Sequence, residues 1–78
     1  MGIKSIPLKK FKKFLKHIGC IKVRIQSSHE IWDKTDGSLL RPIIVDNNYK
    51  DVPMLHIHTC LRTLGISKEE FEKIISGL

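Results

Sequence analysis

The stretch Cys20-Ile21-Lys22-Val23-Arg24-Ile25-Gln26-Ser27-Ser28-His29-Glu30-Ile31-Trp32-Asp33-Lys34-Thr35-Asp36-Gly37-Ser38 decides the fold. From Cys20 the apolar residues Ile21, Val23 and Ile25 alternate with Lys22, Arg24 and Gln26. That period of two is the mark of a strand with one buried face and one polar, basic face. A second strand runs through Ser28 to Lys34, and Asp36-Gly37 is a strong hairpin signal. A third strand, Leu39 to Val45, returns from that turn. Pro42 lies inside it and has no N–H to give to a ladder, which predicts an edge strand or a bulge. Three consecutive strands joined this way form an antiparallel meander.

Working outward, both flanks change to a helical period. Ser5 is a candidate N-cap, Pro7 suits a first turn, and Leu8, Phe11, Leu15 and Ile18 make an apolar stripe that Gly19 stops. Lys9, Lys10, Lys12, Lys13 and Lys16 fall between those positions, so this helix carries a cationic outer surface. After a polar loop at 46–51, Asp51 is a candidate N-cap of a second helix with Pro53 in its first turn. Leu55, Ile57, Leu61 and Leu64 supply its apolar side, and Gly65 ends it. Ser67-Lys68-Glu69-Glu70 is a capping box opening a short last helix with Phe71, Ile74 and Ile75. The expected order is α-β-β-β-α-α. This predicts one α+β domain over 1–78, with a three-stranded antiparallel sheet and helices on one face.

A chain of 78 residues supports a single small core, and an exposed groove for a polymer is easier to build on it than a deep metabolite pocket. Two cysteines, Cys20 and Cys60, are too few for a stapled secreted scaffold and read as reduced thiols. No apolar run approaches the roughly 18 residues of a membrane span, and the N-terminus lacks the apolar segment of a signal peptide. The expectation is a cytoplasmic protein without a membrane partner. The net charge of +6 is unevenly divided: residues 1–24 hold eight bases and no acid, while the rest of the chain holds six bases and eight acids. Such a cationic end attracts phosphate backbones, although the same lysines also serve simply to solvate a helix.

His29 is the first candidate for chemistry, because imidazole exchanges protons near neutrality and this one sits on strand-like sequence beside hydroxyl residues. Alternation puts Ser28, Glu30 and Trp32 on one face and His29, Ile31 and Asp33 on the other, with either row free to face outward. On spacing alone, a lone strand histidine is more often structural or merely exposed. His56, His58 and Cys60 offer two metal-binding atoms on one helix face, with His17 and Cys20 as remote further donors, but a structural zinc needs four converging ligands. His17 is otherwise explained by its favourable place at a helix C-terminus. Trp32 has the flat face that stacks on a base, yet burial in a small core is the simpler account. Glu30, Asp33 and Asp36 make no convincing acidic pair, and neither a glycine-rich phosphate loop nor a Ser-His-Asp spacing is present.

Taken together, the Lys-rich first helix ending at Gly19, the Gln26-Ser27-Ser28-His29 segment, the Asp36-Gly37 turn, and the closing Leu61-Arg62-Thr63-Leu64-Gly65-Ile66-Ser67 with Glu70-Phe71 resemble the HicA (YcfA-like) family of type II toxin-antitoxin systems. The likeness spans roughly residues 5–75. It implies a double-stranded-RNA-binding-domain-like αβββα fold, an mRNA interferase activity, and neutralisation by a HicB-like antitoxin. By position it implies that His29 is the general acid or base of a metal-independent endoribonuclease, with Ser28 as helper at the scissile phosphate. Lys22 and Arg24 would steer or clamp RNA together with Lys9, Lys12, Lys13 and Lys16, and no cofactor is implied. Ser27 stands where the family motif has glycine, which removes the easy access to positive φ and predicts a displaced histidine. The family's frequent Pro-x-His element has no counterpart in Pro42-Ile43-Ile44-Val45-Asp46, and the second helix carries Leu55, His56 and His58 near its start.

A non-catalytic RNA-binding module on the same sheet and basic helix is the alternative of a different class. A small zinc-binding domain using His17, His56, His58 and Cys60 is a third.

Overall fold

The computed structural model describes residues 5–78. The elements run β1 (Ile6–Pro7), α1 (Leu8–His17), β2 (Cys20–Gln26), β3 (His29–Lys34), β4 (Ile43–Asp46), β5 (Asp51–Val52), α2 (Met54–Leu64) and α3 (Lys68–Ser76). The chain is α+β: β2-β3-β4 form an antiparallel sheet, three helices accompany it among the described residues, and β1 pairs with β5 in a separate two-stranded ladder.

That short ladder corrects two expected caps. Ser5 precedes β1 rather than capping α1, and Pro7 takes the cap position without a side-chain hydrogen bond. The Leu8 N–H instead donates to the Lys50 carbonyl at 3.0 Å. Likewise Asp51 is in β5, and Pro53 occupies the cap of α2, again without a side-chain bond. Pairing with a remote strand satisfies backbone groups that a local side chain would otherwise serve. Where no strand competes, the local signal holds, and the Ser67 hydroxyl accepts from the Glu70 N–H at 3.1 Å. Gly19 takes φ +94° at the end of α1. Gly65 takes φ +71°, allowing the Ile66 N–H to reach back to the Leu61 carbonyl at 3.1 Å and close α2.

The core is built from Phe11, Phe14 and Leu15 of α1, Cys20, Trp32, Ile43 and Val45 of the sheet, Val52, and Ile57, Cys60, Leu61 and Phe71 of the later helices. Phe14 and Phe71 meet edge to face at 4.8 Å between ring centres, fixing α3 on α1. Leu55, expected on the apolar side of α2, is 74% exposed. The inner side of α2 is instead drawn by Ile57, Cys60 and Leu61.

The meander differs from expectation in two places. The Asp36-Gly37 turn forms, with the Ser38 N–H donating to Asp36 Oδ1 at 2.9 Å, but β4 resumes only at Ile43. Pro42 therefore lies just outside the strand it was expected to interrupt, as its missing N–H requires, and β4 is an edge strand. The tight hairpin is the other one. Gln26 pairs with His29 across a two-residue turn of Ser27 and Ser28. Ser27 there adopts φ +57°, so serine does enter the left-handed region that the loss of glycine was expected to deny. Turn closure between two long strands outweighs a local cost of about 1–2 kcal/mol.

The row Ile21, Val23, Ile25 is the other correction, since it is not a buried face. The three are 47%, 51% and 55% exposed. Lys22 pairs with Trp32 and Arg24 pairs with Ile31, leaving Val23 as an extra residue in a bulge. Residues directly opposite in a ladder share a face, so the bulge reverses the alternation of β2 midway. Lys22 is on the helix side with Trp32, and Arg24 on the open side with Ile31.

Candidate functional site

The same pairing logic settles which row of β3 looks outward. Trp32 is opposite Ile43 and Glu30 is opposite Val45, and all four are buried beneath the helices. His29, Ile31 and Asp33 therefore point to the face away from the helices, where His29 is opposite Asp46 and Ile31, itself buried among its neighbours, is opposite Ile44.

Glu30 and His29 are neighbours in sequence with different surroundings. The Glu30 carboxylate, although buried, is fully engaged: Lys12 Nζ donates to Oε2 at 2.9 Å, Asn47 Nδ2 to the same oxygen at 3.1 Å, and Trp32 Nε1 to Oε1 at 3.1 Å. Burial pushes its pKa up, but the hydrogen bonds from Lys12, Trp32 and Asn47 and the lysine charge outweigh this and hold it below the ordinary value. Lys12 also donates to Asn47 Oδ1 at 2.8 Å. The cluster ties α1 and β3 to the loop after β4, and the Asn47 N–H adds a bond of 2.8 Å to the Ser28 carbonyl.

That loop carries the partner of His29. Asp46 Oδ2 lies 3.6 Å from His29 Nε2, and Asp46 Oδ1 accepts from the Asn48 N–H at 2.9 Å in a turn that fixes the carboxylate. Asn48 Nδ2 in turn donates to Ser28 Oγ at 2.9 Å. The expected pair Ser28 and His29 are thus adjacent but differently occupied, since the serine hydroxyl braces the loop. The His29 side chain is about half exposed and opens onto a cleft of about 520 Å³ that also takes in Arg41, Asp46, Tyr49, His56 and Thr59. This volume is in the range of small-ligand sites. Tyr49 meets the His56 ring edge to face at 5.3 Å.

The expected cationic residues fall on two surfaces. Lys12, Lys16 and Lys22 line one groove between α1 and the edge strand β2, over Glu30 and Trp32. Arg24 is sent by the bulge to the open face. Lys9, Lys13 and Lys16 are exposed on α1, whereas Lys12 is committed to Glu30 and Asn47. Trp32, buried with its indole N–H bonded, is core and not a stacking platform.

Among the described residues no three His, Cys, Asp or Glu side chains are placed to hold a metal ion. His56 and Cys60 face the cleft, His58 faces solvent, and His17 lines a different hollow beside Glu70 and Lys73. Burial pushes the Cys60 thiol up to about 11, further raised by nearby Cys20, and burial raises Cys20 as well, so both stay protonated. Among the described residues no helix is long and apolar enough to cross a membrane.

Sequence reasoning missed Arg41, Asp46, Asn47, Asn48 and Tyr49, which it treated as strand or loop. Their only signal was the polar run after the third strand. Compared with protein-family models, curated proteins and solved structures, the chain matches none of them.

Proposed function

We propose that this protein is an endoribonuclease of the HicA type, the toxin of a type II toxin-antitoxin pair, cleaving mRNA with His29 as general acid or base. The observation that carries the reading is the His29–Asp46 pair on the open face, at the mouth of a cleft that also holds Arg41. A neighbouring carboxylate orients an imidazole, and a guanidinium supplies the planar donors that suit a phosphate. The order α1-β2-β3-β4-α2, with the helices on one face of the sheet, agrees with a double-stranded-RNA-binding-domain-like fold.

In this reading the 2′-hydroxyl of the substrate loses its proton and attacks the adjacent phosphorus, with protein side chains carrying every proton and nearby cations offsetting the charge that builds. Ser28 acts by holding the loop of Asp46 against His29, a change from its expected direct role at the phosphate. The groove of Lys16 and Lys22, with exposed Lys9 and Lys13 beside it, and Arg24 on the open face hold the RNA backbone at the β2 edge. Lys12 contributes through Glu30. A protein partner, here a HicB-like antitoxin, would cover the exposed Ile21 and Ile44, which pair with Asp33 and Ile31 and so share the face that carries His29. The protein works in the cytoplasm, where its mRNA substrate is.

The test is incubation of the purified protein and of His29→Ala with a labelled mRNA fragment in EDTA. Cleavage by the parent alone is the expected result. Equal cleavage by both, or by neither, overturns the reading, and binding without cleavage favours a non-catalytic RNA-binding module.

A further inference from the structure

The cleft beside His29 contains a second histidine that the function above does not use. His56, Thr59, Cys60 and Thr63 recur at helical spacing along one side of α2, and all four line this cleft together with His29, Asp46 and Arg41. His58 lies on the other side of the helix and is exposed. His56 is only half-buried, and its ring is steadied by Tyr49, which meets it at 89°. One imidazole thus comes from the sheet and the other from a helix, and they share an open cleft with a guanidinium.

Resting on the endoribonuclease reading, we infer that His56 is the second proton-transfer residue of the reaction, paired with His29 across the scissile phosphate. The chemistry needs two such groups. A neutral imidazole takes the 2′-hydroxyl proton as the O2′–P bond forms. An imidazolium gives its proton to O5′ as the P–O5′ bond breaks, leaving a 2′,3′-cyclic phosphate and a free 5′-hydroxyl. One residue gains the proton that the other loses, so no water, metal or further reactant enters this step. Arg41 faces the non-bridging oxygens, on which charge builds in the transition state. A single histidine would have to serve both oxygens, on opposite sides of the phosphorus; a pair removes that conflict.

The test uses the full chain and two oligoribonucleotides: one natural, and one with sulfur replacing the 5′ bridging oxygen at the position the parent protein cleaves. A thiolate leaves without being protonated, so loss of the proton donor ceases to matter. His29→Ala and His56→Ala are each expected to slow natural RNA cleavage by about 100-fold or more. One of the two, and only one, is expected to recover to within about tenfold of the parent on the sulfur substrate. His56→Gln, which preserves polarity and bulk, is carried alongside with thermal unfolding to show that the fold is retained. Full activity of either His56 variant on natural RNA overturns the inference, as does recovery of neither histidine variant, or of both, on the sulfur substrate. If the parent itself cleaves nothing, the endoribonuclease reading fails first. If the parent is active and His29→Ala is not, while His56→Ala matches the parent, only the His56 assignment fails.

Discussion

His29 and Glu30 are consecutive residues on one strand, each beside a polar partner from another element, and the two pairs have opposite characters. On the helix side, Glu30 is 6% exposed and receives three hydrogen bonds, the shortest from Lys12 at 2.9 Å. On the open side, His29 and Asp46 are 3.6 Å apart, and the histidine side chain is 48% exposed. In the buried pair both carboxylate oxygens are engaged by groups of the protein itself. The open pair is loose and leaves the imidazole accessible from outside. One strand thus separates a structural network from a chemical site by the alternation of its side chains.

The contrast is most directly broken at His29. His29→Ala is expected to lower RNA cleavage on the order of 10³-fold, equivalent to about 4 kcal/mol of barrier, while shifting stability by under about 0.5 kcal/mol. Single-turnover cleavage together with urea unfolding reads both quantities. Glu30→Ala should do the reverse, costing about 2–3 kcal/mol of stability because it leaves the buried Trp32 indole N–H without its acceptor and takes the carboxylate from Lys12 and Asn47. The figure lies below that for a fully buried pair because Lys12 is 28% exposed. Cleavage per folded molecule should fall only through loosening of the Asn47 loop.

Acid sharpens the same comparison. Glu30 titrates below its ordinary value in the fold, so its network stabilises fully above the unfolded-state value of 4.5 and loses that stabilisation as pH falls through the lower folded value. The stability gap between the parent and Glu30→Gln should therefore be wide at about pH 7 and narrow at about pH 3. A gap independent of pH would show that the carboxylate charge is not what the network uses. Asp46→Asn should slow cleavage by about tenfold with little change in melting temperature, since a half-exposed pair contributes little to stability. The smallest effect is expected at the hairpin. Ser27→Gly relieves the positive φ but adds freedom to the unfolded chain, and a net gain of about 0.5 kcal/mol should raise the melting temperature by roughly 2–4 °C.

Much of the frame was legible because it depends on local periodicity. The number and order of the main helices and the three meander strands follow from apolar spacing, and the Ser67 cap and the Gly65 stop follow from side chains acting on their own turn. The β1–β5 ladder was illegible, since two-residue strands carry no period and form only when distant segments meet. The β2 bulge was illegible too, because alternation continues unbroken through Val23 in the sequence while the pairing does not. That one inserted residue sends Lys22 and Arg24 to opposite faces, where spacing put them together.

For the candidate site the division is similar. The sequence by itself determined a cationic end, a histidine on the second strand of the meander and a polar loop after the third, since these are properties of residue type and order. Only the tertiary structure decided that His29 rather than Glu30 faces outward, that Asp46 is its partner, and that His56 shares its cleft. Side-chain alternation defines two faces but does not say which one the helices will cover. That choice belongs to Phe11, Phe14 and Leu15, which bury themselves against Trp32, Ile43 and Val45 and leave the other face open.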